Sequence, residues 1–120
     1  MSHIVQIQTK VHDSAALAAA CHRLGVGEPI HGTARLFSGE VAGLLVQLTG
    51  WQYPVVVDPA TGSVKYDNYG GNWGDQKQLD RLIQLYSVEK TKIEAKKKGC
   101  LVSEQALQDG SILLRVQEGF

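Results

Sequence analysis

Residues 54–68, Pro-Val-Val-Val-Asp-Pro-Ala-Thr-Gly-Ser-Val-Lys-Tyr-Asp-Asn, decide the fold. Consecutive β-branched valines suit a pleated, half-buried surface. Asp58-Pro59-Ala60-Thr61-Gly62 supplies turn chemistry: an aspartate that bonds nearby backbone, a proline that presets φ, and a glycine. The stretch is therefore predicted to be a β-hairpin within an antiparallel sheet. Upstream, Ile30 to Phe37, the turn Ser38-Gly39-Glu40 and Val41 to Leu48 predict a second hairpin, with Leu44, Val46 and Leu48 on one face. Further back, Ile4 to Val11 alternates, Val5, Ile7, Thr9 and Val11 against Gln6, Gln8 and Lys10, as a strand with one wet face does.

Two helices flank these strands. Asp13 or Ser14 can cap a short one in which Leu17, Cys21 and Leu24 recur at helical spacing, stopped by Gly25. Asp75 can cap a longer one reaching about Lys98, with Leu79, Leu82, Ile83, Tyr86 and Ile93 along one side. After Gly99, Leu101 to Leu107 and Ser111 to Val116 flank Asp109-Gly110, a strong hairpin signal.

The order β-α-β-β-β-β-α-β-β contains a βαββαβ pattern. It predicts an α+β fold, an elaborated ferredoxin-like sandwich with a mostly antiparallel sheet and two helices on one face. Residues 1–120 are expected to form a single domain, since no linker, repeat or low-complexity tract divides them and 43% apolar content suffices for one core.

The twelve basic and twelve acidic residues cancel, so no overall field draws the chain to nucleic acid or an anionic membrane. No apolar run approaches the roughly eighteen residues that span a bilayer, and no signal-peptide pattern opens the chain; a cytosolic location is the expectation. Cys21 and Cys100 lack the spacing of a zinc site and are expected to be free thiols. His3, His12, His22 and His31 are dispersed. Cys21 and His22, adjacent on a helix, point about 100° apart and make no thiol-base pair. Asp13, Asp58 and Asp75 sit where turns and caps belong. Catalytic residues, metal and cofactor are all expected to be absent, and a non-enzymatic role is favoured.

The chemistry concentrates in Tyr66-Asp67-Asn68-Tyr69-Gly70-Gly71-Asn72-Trp73-Gly74-Asp75. Glycines let a partner approach the main chain, and aromatic rings offer rigid contact area at small entropic cost. Tyr66, Tyr69, Gly70, Gly71, Asn72 and Trp73 are the candidate contact residues. The competing structural reading folds Tyr69 and Trp73 onto the sheet and leaves Gly70-Gly71 as a plain turn. GxGxxG and Walker spacings are missing, so phosphate cradling is disfavoured. Lys90, Lys92, Lys96, Lys97 and Lys98 gather at the end of the long helix, either as a solvated terminus suited to the helix dipole or as a basic docking patch.

Several pieces together resemble domain-of-unknown-function family 1257, which includes the hypothetical chloroplast reading frame thirty-five proteins. They are the opening Met1-Ser2-His3-Ile4, the Asp13-initiated helix, Gly71-Asn72-Trp73-Gly74-Asp75 ahead of Leu82-Ile-Gln-Leu-Tyr-Ser-Val-Glu-Lys90, and the close from Ala95 to Val102 with Asp109 to Ile112. The resemblance spans nearly the whole chain and carries no catalytic residues. It implies a partner role beside an AAA+ ATPase or a small companion protein. The leading expectation is an accessory or adaptor protein that binds another protein. The alternative is a small-molecule or cofactor-binding domain, an enzyme among its forms, with a pocket lined by Trp51, Tyr53, Tyr66, Tyr69 and Trp73. A third reading, RNA binding through sheet aromatics and the lysines, is the least favoured.

Overall fold

A computed structural model describes residues 3–119. Met1 and Ser2, which begin the Met-Ser-His-Ile opening, and Phe120 lie outside the described residues. Strand β1 (Val5–Gln8) leads to helix α1 (Ser14–Leu24), followed by β2 (Ile30–Leu36), β3 (Gly39–Val46), β4 (Val55–Asp58) and β5 (Ser63–Tyr66). A single 3-10 turn at Tyr69–Gly71 then precedes helix α2 (Gln76–Lys97) and strands β6 (Cys100–Ala106) and β7 (Ile112–Glu118). The fold is α+β. Five strands form one sheet in the order β1-β5-β4-β3-β2, every neighbouring pair antiparallel, and β6 and β7 form a separate antiparallel ribbon.

The helices begin and end where local chemistry dictates. Asp13 accepts the backbone N–H groups of Ala15 and Ala16, and Gly25 closes α1 in the left-handed conformation at φ 81°. Asp75 accepts the N–H of Lys77 and starts α2. Both helices lie on one sheet face. Leu17 and Cys21 of α1 and Leu79, Leu82, Leu85 and Tyr86 of α2 share a core with Leu44, Val46, Val55, Val57 and Val64 of the sheet. The Tyr86 hydroxyl accepts the N–H groups of His12 and Asp13, tying the start of α1 to the middle of α2.

The opposite face of the sheet is covered by the sheet itself. Strand β3 pairs with β4 only from Leu44 to Val46, so residues 39–43 run past the Asp58 end of β4. Yet the hairpin tip lies at the other end: Phe37 is 5.4 Å, ring to ring, from Trp73, and a Cβ placed on Gly39 would be 3.7 Å from Cδ1 of Ile4. The β2–β3 hairpin therefore curls back over the face that the helices leave bare. Gly32 and Gly43, cross-strand partners, sit at the bend, where a Cβ on Gly43 would be 2.7 Å from the Val57 carbonyl oxygen. The curl buries Ala34, Leu36, Val41 and Val56, with Ile4, Leu45 and Tyr53 packed against them. This explains the unbroken Val55-Val56-Val57 run, since both faces of β4 are covered.

The strands after α2 depart from a strict βαββαβ path, in which the last strand would return to the sheet. Helix α2, at 22 residues, is about 33 Å long, whereas a four-residue strand such as β4 spans about 13 Å. The chain leaves α2 well beyond the sheet, and β6 pairs with β7 instead. The longest extent is accordingly 54 Å, and the radius of gyration, 15.3 Å, exceeds the roughly 13.6 Å of a compact domain this size.

Candidate functional site

The loop joining β5 to α2 wraps the end of the sheet and links its two faces. Alternation along β5 sends Val64 and Tyr66 toward the helices and Lys65 and Asp67 toward the curled hairpin. Tyr66 is only 7% exposed and meets Trp51 edge-on at 5.8 Å. It belongs to the core, not to the contact surface assigned to it from the sequence.

Asn68, itself buried, organises the rest of the loop. Its carbonyl accepts the N–H groups of Gly71 (3.0 Å) and Trp73 (2.9 Å), and its side-chain amide donates to the Gly74 carbonyl and to Oε1 of Gln76, both at 3.2 Å. Gly74 lies flat against Trp51, whose indole N–H donates to the Asp75 carbonyl at 3.1 Å. Between these anchors the chain bulges outward. Tyr69 has φ 47°, the one positive φ outside glycine among the described residues, and Gly70 and Gly71 continue at 61° and 103°. The Tyr69 N–H donates to Oδ1 of Asp67 (3.3 Å), and its carbonyl accepts the Asn72 side-chain amide (3.0 Å). Gly70, Gly71 and Asn72 are exposed at the tip.

Trp73 is the hub of a surface patch of four rings. Its centroid is 4.8 Å from Tyr69, 5.4 Å from Phe37 and 5.7 Å from Tyr53. Phe37 is 60% exposed and Tyr69 39%, while Tyr53 and Trp73 are half-buried. The structure thus unites Tyr69 and Trp73, as the sequence suggested, keeps Tyr53 of the alternative pocket reading beside them, and adds Phe37 by curling the hairpin over the sheet. An aromatic beside the Ser38-Gly39 turn was the one local signal for Phe37. The five-ring pocket of the alternative reading does not form: Trp51 and Tyr66 face the helices, and Tyr53, Tyr69 and Trp73 gather on the other side.

Beneath the patch, Asp67 is 1% exposed. Its Oδ1 holds the Tyr69 N–H, but its Oδ2 is buried with no hydrogen-bond partner among the described residues. Lys65, two residues earlier on the same side of β5, makes no ion pair with it.

The lysines at the end of α2 are largely engaged. Lys90 bridges Asp13 (3.0 Å) and Glu94 (2.9 Å), Lys92 meets Glu104 of β6 (3.0 Å) and Glu89 (3.7 Å), and Lys97 reaches Glu94 (3.5 Å). Arg23 of α1 joins the same network through Glu89 and Glu104. Hydrogen bonds from Lys92 and then Arg23 hold the Glu104 carboxyl below its ordinary 4.5, and Lys90 does the same to Asp13. Only Lys96 and Lys98 of the expected basic patch are exposed without an ion pair among the described residues.

Cys21 is fully buried and burial pushes its thiol up to about 11, while Cys100 is half-buried; neither is in a disulfide. Among the described residues, no group of three or more His, Cys, Asp or Glu converges as a metal site, and no helix is long and apolar enough to cross a membrane. No family profile, curated protein sequence or solved structure matches the chain.

Proposed function

We propose that the chain is a non-enzymatic accessory protein that binds a protein partner through the patch of Trp73, Tyr69, Phe37 and Tyr53. The observation that carries this reading is Tyr69. A bulky aromatic in the left-handed region is a conformational outlier that costs on the order of 1–3 kcal/mol, and such strain collects where a side chain must be presented. Here the strained residue turns a partly exposed ring onto Trp73, beside the exposed ring of Phe37. Aromatic anchors of this kind dominate protein interfaces. The pairing of Lys90, Lys92 and Lys97 within the chain favours a protein over RNA as the partner. The resemblance to family 1257 adds an AAA+ ATPase system, or a small companion protein, as the partner class.

Capture from the native host with the full chain as bait tests the proposal. Trp73→Ala and Phe37→Ala should each lose a partner that the native chain and an exposed Thr49→Ala control retain, with circular dichroism confirming that the variants are folded. Because Phe37 is mostly exposed, its truncation keeps the test open even if Trp73→Ala unfolds. Folded variants of both residues that still capture every partner would place the contact surface elsewhere.

A further inference from the structure

The aromatic patch and the carboxylate beneath it together specify the chemistry of the group that lands there. Three rings converge on Trp73, and ring faces attract cations through their quadrupoles. Under the same loop lies Asp67, whose Oδ1 is bonded to the Tyr69 main chain and whose Oδ2 is buried without a partner. An unpaired buried carboxylate is costly to a folded protein, so one that persists needs a reason. The charged groups near the patch do not supply it. Arg35, two residues before Phe37, is paired with Glu40 across the hairpin at 3.6 Å, and Lys65 makes no ion pair with Asp67. Rings and carboxylate thus favour the same sign of charge, and no ion pair among the described residues provides it.

Resting on the contact-surface reading of the patch, we propose that it receives an arginine side chain of the protein partner, its guanidinium stacking on the Trp73 and Tyr69 rings and Asp67 supplying the opposing charge. Arginine fits better than lysine because a planar, weakly hydrated guanidinium stacks on aromatic faces while an ammonium remains a hydrated point charge. Asp67 is 1% exposed, so it acts on the guanidinium as a nearby buried charge rather than through a surface ion pair, and screening by salt is weak away from solvent.

The test uses the full chain and blocked amino acids rather than an unknown partner. Nα-acetyl-arginine methylamide is titrated into isotope-labelled protein while the Trp73 indole N–H and the Tyr69 amide are followed by NMR, in parallel with the citrulline, lysine and glutamate analogues. Saturable shifts of both signals with arginine are expected, with affinity at least about fivefold weaker for citrulline and for the Asp67→Asn variant. Equal binding of arginine and its uncharged isostere citrulline would overturn the proposal, as would unchanged binding to Asp67→Asn. Lysine binding as tightly as arginine would remove the stacked guanidinium. If Asp67→Asn does not fold, the arginine-citrulline comparison on the native chain decides alone. No shift with any probe, alongside Trp73-dependent capture of a protein, would reject arginine recognition and leave the contact surface standing.

Discussion

Glycines in the Tyr69–Asp75 stretch look alike in sequence but answer to different constraints. Gly70 needs only its positive φ of 61°, with open space where a Cβ would go. Gly74 has no such φ, yet a Cβ there would come within 2.3 Å of the Trp51 ring, which is locked in the core against Tyr66. Gly74→Ala should therefore destabilise by about 1–3 kcal/mol through overpacking. Gly70→Ala should cost only about 1–2 kcal/mol of left-handed strain and leave the Trp51 surroundings unchanged. Urea denaturation measures the first effect, and the NMR signal of the Trp51 indole N–H, which donates to the Asp75 carbonyl, separates the mechanisms. An unshifted Trp51 indole N–H signal in Gly74→Ala would mean that the indole is not braced as described. Such differences are illegible in sequence: Asn72 and Asn68 have the same chemistry, but only their places in the fold make Asn68 a buried organiser and Asn72 an exposed tip.

Secondary elements are far more legible than residues because their signals are local. Apolar spacing and an aspartate cap set α2 from Asp75 onward; of the expected stripe, Leu79, Leu82 and Tyr86 are buried, while Ile83 and Ile93 are half-buried at its margin. Leu82→Ala should cost about 2–5 kcal/mol, since it opens a cavity between α2 and the sheet, whereas Lys97→Ala at the exposed end should change little. Equal denaturation midpoints for the two would show that α2 is turned differently on the sheet. What local signals could not reach was the bend of the β2–β3 hairpin. The Gly32–Gly43 pair spans eleven residues of sequence, and its meaning depends on β4 lying close beneath Gly43. Phe37 joined the patch by that bend, so its part in the patch was hidden for the same reason.

At the scale of the whole molecule, the lysine-rich end of α2 serves as a strut. An isolated two-stranded ribbon is marginal by itself, and β6–β7 protrudes from the sheet domain with Leu101 and Val116 largely exposed. Glu104 of β6 is gripped by Lys92 of α2 and Arg23 of α1, while Lys90 of α2 holds Asp13 at the start of α1. These contacts lower the pKa values of Glu104, Asp13 and Glu94 below their ordinary 4.5, 3.8 and 4.5. A depressed carboxyl binds fewer protons in the folded than in the unfolded chain, so its stabilisation is complete above the ordinary value and is lost as pH falls through the folded one. The melting temperature should therefore hold nearly level from pH 7 to about 5 and decline as pH falls below about 4.5. Glu104→Gln should start lower at pH 7 and decline less steeply, because one of the titrating contacts has gone. A variant whose acid profile parallels that of the native chain would show that Glu104 does not carry the linkage, and that the ribbon is held by its apolar contacts with α2 alone.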